Sequence, residues 1–157
     1  MTPTPVENRM RHPWHPIFVH FPIACWIMGF AVEVVYHVLP ELWLPAGIEP
    51  GALALLLLWA GNVTALAAVV AGLIDLAQLP DTEAVMSTVY KHMGWMISAW
   101  LLMLGAGVLH IIDSDSRQLI VWTRLAVEMA GIICLVLGGL QASRLVYHLN
   151  LGEDRAC

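Results

Sequence analysis

Charge is what this sequence has least of. Charged side chains make up 12% of its 157 residues, about half the share of a soluble domain. Lysine and arginine number only seven and form no patch, which argues against a nucleic-acid partner. Cysteine is scarce too: Cys25, Cys134 and Cys157, with no C-x-x-C and no C-x-x-C-H. That spacing excludes a covalently attached c-type haem and a zinc knuckle, and it supplies no disulfide framework. No H-E-x-x-H and no Ser-His-Asp arrangement is present, so a hydrolase is disfavoured. No internal repeat stands out.

What fills the chain is apolar. Hydrophobic residues reach 59% and the mean hydropathy is +0.75. A membrane-spanning helix takes about 20 such residues, and four segments qualify. The first runs from about Ile17 to Leu39, with Pro16 and Pro22 near its start, where proline is tolerated best. Pro40, Pro45 and Pro50 punctuate the loop that follows. The second runs from about Ala52 to Leu79 and stops at Pro80. The third runs from about Val85 to Ile112 and ends at Asp113-Ser114-Asp115-Ser116. The fourth runs from about Leu119 to Leu149. These lengths exceed the bilayer minimum, so tilt is expected. Arg9 and Arg11 precede the first segment as they would in a signal peptide, but no A-x-A site interrupts it before Leu39, which favours a retained span. The expected fold is all-α: an integral membrane four-helix bundle, one membrane domain over residues 1–157.

Four spans place both termini on one side, here side A. Side A carries Arg9, Arg11, Lys91, Arg144 and Arg155, and side B carries Arg117 and Arg124. The excess of basic residues favours side A as cytoplasmic. Small residues form ridges in span two (Gly61, Thr64, Ala65, Ala68, Gly72) and span four (Gly131, Gly138, Gly139, Ala142), as close helix packing in lipid requires. Trp14, Trp43, Trp95 and Trp122 lie near span ends as interfacial anchors do, while Trp26, Trp59 and Trp100 lie deeper.

Alternating helix direction brings scattered polar residues to one face. His15 and His20 open span one, Asp75 closes span two, His92 opens span three, and Arg144 and Tyr147 close span four. Ionisable residues within spans mark functional sites or buried pairs. His20 and His92 are the expected axial ligands of a b-type haem, as two imidazoles on facing helices can provide. His15 and Asp75 would support them, Asp75 by holding the second ring nitrogen of a ligating histidine. The alternatives are an Asp75–Arg144 ion pair and histidines that simply bond headgroups or carbonyls. On span three, His92 and His110 are 18 residues apart, five turns of helix, and share one face. His37 and His110 therefore form a second, weaker pair on side B, although His20 and His37 lie about 100° apart around span one. Glu33 and Glu128, also toward side B, could form a proton-conducting or buffered cluster.

His-Pro-Ile-Phe-Val-His-Phe-Pro-Ile, then Gly-Leu-Ile-Asp-Leu, then a histidine opening span three, then Gly-Gly followed by Leu-Val-Tyr resemble the bacterial membrane family called domain of unknown function 2231. The resemblance runs in order from His15 to about Gly152. It implies His15, His20, Asp75, His92 and Tyr147 as motif positions; His37 and His110 rest on spacing alone. The chain departs after the tyrosine, where His-Leu-Asn-Leu-Gly stands in place of a Gly-Val-Gly-Val-like close. The resemblance implies a fold and a site rather than an activity. The expectation is a haem b-binding electron-transfer subunit of a larger redox complex in the bacterial inner membrane, its partners the lipid bilayer and other membrane redox subunits. The alternatives are a cofactor-free accessory subunit and a small transporter or proton pathway.

Overall fold

The computed structural model describes residues 15–38, 49–79, 81–112 and 118–147, and for Tyr147 the backbone only. Four helices follow in order: α1 (His15–Val38), α2 (Pro50–Leu76), α3 (Glu83–Ile112) and α4 (Gln118–Tyr147). Each is long and apolar enough to cross a membrane. The four expected spans are present, with ends shifted by up to three residues. Pro50 does not lie in a loop but opens α2, where a missing N–H costs nothing. Glu49 caps that helix, its Oε2 accepting from the Ala52 N–H at 2.6 Å. At the other end α2 stops at Leu76, not Leu79. Gln78 donates to the Asp75 carbonyl and Leu79 to that of Leu76, tight i→i+3 bonds that close the last turn.

The helices pair as two hairpins, α1 with α2 and α3 with α4, which then meet along α2 against α3 and α1 against α4. Each helix buries one stripe at helical spacing. On α1 it runs through Pro22, Cys25, Trp26, Gly29 and Glu33; on α3 through Val85, Val89, Ala99, Met103 and Ala106. The opposite faces carry exposed Ile, Leu, Val and Phe, among them Phe21, Leu56, Val70, Leu101 and Val136, suited to lipid. Cys25 and Cys134 are both free thiols.

Small residues let the helices approach. Trp26 packs into the space left by Gly61, where an added Cβ would stand 2.5 Å from the indole. Gly131 likewise receives Met103, and Gly138 receives Met96. Lipid tails are as apolar as leucine, so this van der Waals fit is a main source of helix association. Gly61→Ala should therefore destabilise the bundle by about 1–3 kcal/mol through overpacking. Gly139→Ala, with open space around its Cβ, should be neutral or slightly stabilising. Detergent unfolding followed by circular dichroism measures both; equal stability of the two variants would contradict the packing described.

Candidate functional site

Polar side chains gather in layers along the bundle axis. On side A the layer starts from α1 itself. The first backbone N–H groups of a helix lack intrahelical partners, and that of His15 donates to Asp75 Oδ2 at 3.1 Å. Asp75 thus ties the start of α1 to the end of α2. It holds the His15 backbone and not, as expected, an imidazole nitrogen. Nor does it pair with Arg144, which donates to Gln141 on its own helix.

The His15 ring then turns onto α2. Its Nδ1 lies 2.8 Å from the Ala68 carbonyl, in a space open because residue 72 is glycine: a Cβ there would stand 2.9 Å from Nδ1. The His92 ring does the same across the other hairpin, its Nδ1 lying 2.9 Å from the Gly138 carbonyl on α4. A carbonyl only accepts, so Nδ1 must carry the proton in both rings, and Nε2 of each neutral ring carries a lone pair. The two rings meet with centres 6.1 Å apart and planes at 90°.

The expected partnership of His20 with His92 is therefore replaced by His15 with His92. Five residues advance a helix by about 140° beyond a full turn, so His15 and His20 cannot share a face. His15 continues the buried stripe of α1; His20 lies exposed, its Nδ1 bonded to the Pro16 carbonyl one turn back. The side chain of Tyr147 lies outside the described residues.

At mid-depth, Asn62 Nδ2 donates to the Met103 carbonyl at 3.3 Å and Trp100 Nε1 donates to the Asn62 carbonyl at 3.2 Å. These bonds stitch α2 to α3. Side B holds a charged layer. Glu33 Oε2 accepts from Arg124 Nε at 2.8 Å and its Oε1 from His110 Nδ1 at 3.0 Å. Glu33, Arg124 and Glu128 are all at most 4% exposed. His37 packs edge-on against Tyr36, ring centres 4.6 Å apart. His37 and His110 line one partly open cleft of about 240 Å³, with Glu49, Gly51 and Arg124 around it.

Sequence reasoning placed Glu33 and Glu128 on this side but used Arg124 only for orientation. A signal was there: His15 and Glu33 are 18 residues apart, the same five turns that separate His92 from His110. Parallel helices α1 and α3 thus meet twice, imidazole to imidazole on side A and carboxylate to imidazole on side B.

Among the described residues no group of three or more His, Cys, Asp or Glu is placed to hold a bare metal ion. A haem iron needs only two protein ligands, and the imidazoles of His15 and His92 are of the right type.

Removing one member of a buried ion pair leaves the other uncompensated. Arg124→Met should destabilise the protein by about 3–5 kcal/mol, and Glu33→Leu by less, because Glu128, one turn from Arg124, can take over as its counter-charge. The double variant should lose less than the sum, because the two residues share one interaction. A double-mutant cycle in detergent unfolding measures this; strict additivity would contradict the pairing.

The one comparison that matches agrees with a membrane protein. No curated protein and no solved structure matches the chain. One family model matches residues 11–155, that of domain of unknown function 2231, described as a predicted membrane protein. The chain belongs to that membrane protein family.

Proposed function

We propose that this protein binds one b-type haem on side A, with His15 and His92 as axial ligands, and serves as an electron-transfer subunit of a larger redox assembly. The observation that carries the reading is the matched pair of rings. Each donates through Nδ1 to a backbone carbonyl of the neighbouring helix, which fixes the tautomer and leaves Nε2 as the ligating nitrogen. A metal–imidazole bond is about 2 Å long, so two rings sharing one ion stand with centres roughly 6 Å apart; here they stand 6.1 Å apart. An iron porphyrin held by two imidazoles supplies one-electron transfer.

The rest of the layer positions the ligands. Gly72 leaves room for the His15 ring, and Asp75 fixes the start of the helix that carries it. With side A at the cytoplasmic face, as the basic residues favour, the haem would lie near the inner surface of a bacterial inner membrane. A cofactor-free accessory subunit accounts for the two carbonyl bonds as helix ties, but not for two imidazoles of matched tautomer brought to 6.1 Å of each other, which is why the haem reading is preferred.

Protein purified from cells supplied with haem should show a Soret band, and α and β bands that sharpen on reduction with dithionite. His15→Ala and His92→Ala should each abolish this bis-imidazole spectrum. His20→Ala should leave it intact, because His20 bonds its own helix. A folded, colourless protein that stays unchanged on titration with haem would contradict the proposal.

A further inference from the structure

The charged cluster on side B takes no part in the haem site, and it combines three helices. Glu33 comes from α1, His110 from α3, and Arg124 and Glu128 from α4. Glu33 uses both oxygens, one on His110 Nδ1 and one on Arg124 Nε. Glu128 stands one turn along α4 from Arg124, within electrostatic reach of both Arg124 and Glu33. It is 2% exposed, and its Oε2 has no hydrogen-bond partner.

A charge count follows. With both carboxyl groups ionised and Arg124 as the fixed cation, the buried cluster holds one negative charge too many. Excess charge in a low-dielectric interior is strongly unfavourable, and one proton cancels it. Glu33 is the poorest acceptor, since both its oxygens already receive bonds from nitrogen donors. Two groups remain, Glu128 and His110. A fully buried oxygen without a partner suits a neutral carboxyl group far better than a carboxylate.

We propose that this cluster is a proton-exchange site, in which one proton rests on Glu128 and reaches side-B water by way of His110 and the cleft in front of it. The inference does not rest on the haem reading. His110 donates from Nδ1 to Glu33, so its Nε2 is the acceptor. That nitrogen lies 3.7 Å from the position a Cβ would take on Gly51, at the wall of the 240 Å³ cleft. The absence of a side chain at Gly51 keeps the space before Nε2 open.

Exchange balances as follows. On uptake a cleft water gives a proton to His110 Nε2, the imidazolium passes its Nδ1 proton to Glu33 Oε1, 3.0 Å away, and Glu33 passes one to Glu128, which lies within electrostatic reach of it. Release runs the same steps in reverse, so each step moves one proton between neighbouring groups. The ionisable groups facing this site are Glu33, Tyr36 and His37 from α1, Glu49 ahead of α2, His110 from α3, and Arg124 and Glu128 from α4. Glu49 Oε2 is engaged by the Ala52 N–H.

The test is infrared spectroscopy of the full chain in lipid nanodiscs, with transfer from H₂O to D₂O. The wild-type protein should show the C=O stretch of a protonated carboxyl group at neutral pH, shifting down in D₂O. Glu128→Gln should remove the band. Glu33→Gln should remove it as well, although Glu128 is intact, because Arg124 then balances an ionised Glu128. Gly51→Val should keep the band but slow its deuterium shift, since the new side chain stands in front of His110 Nε2. A wild-type spectrum with no exchangeable carboxyl band would overturn the proposal, as would survival of the band in Glu128→Gln or in folded Glu33→Gln. An unchanged exchange rate in Gly51→Val would overturn the cleft as the route. Should Glu33→Gln fail to fold, the wild-type band and its loss in Glu128→Gln decide the matter.

Discussion

In a bilayer, two apolar hairpins have no hydrophobic reason to leave lipid for each other, and the rest of this structure depends on how that is overcome. Close packing at Gly61, Gly131 and Gly138 brings backbones together. Polar groups then join what packing has brought near. His15 and Asp75 tie α1 to α2, His92 ties α3 to α4, and Asn62 and Trp100 join α2 to α3. Glu33 binds α1 to both helices of the second hairpin at once. Each such group would be costly if exposed to lipid, so each one favours the same arrangement of four helices.

That arrangement also separates two kinds of chemistry. The 18-residue spacing on α3 sets His92 and His110 about 27 Å apart along the axis, nearly the thickness of the hydrocarbon core. On side A the histidines bond only to backbone carbonyls, which carry no net charge. There the rings keep one tautomer and present a nitrogen lone pair. On side B the histidine bonds to a carboxylate that an arginine also holds. Under the two proposals the same residue type would be a ligand at one face and a proton acceptor at the other, according to the partner of its Nδ1.

Much of the fold was legible in the sequence because it rests on hydropathy and chain direction. Four apolar runs gave four helices, and alternation alone brought His15, Asp75 and His92 to one face. The choice between His15 and His20 was not legible in the same way. It depends on how α1 is rotated about its axis, and a helix that is apolar all round carries little sign of which face is buried. The buried stripe through Pro22, Trp26 and Glu33 resolves it in favour of His15. The pairing of Glu33 with Arg124 joins residues 91 positions apart, and no local pattern announces it. The five-turn interval from His15 to Glu33 was readable, but its meaning depended on α3 carrying the same interval alongside.

The central claim is that His15 and His92 face each other with Nδ1 protonated and Nε2 bare. Nitrogen NMR on ¹⁵N-histidine-labelled protein, before any haem is added, reads this directly. The account predicts the Nδ1–H tautomer for both neutral rings and through-space contacts between them. An Nε2–H tautomer at either residue, or His92 in contact with His20 in place of His15, would contradict it.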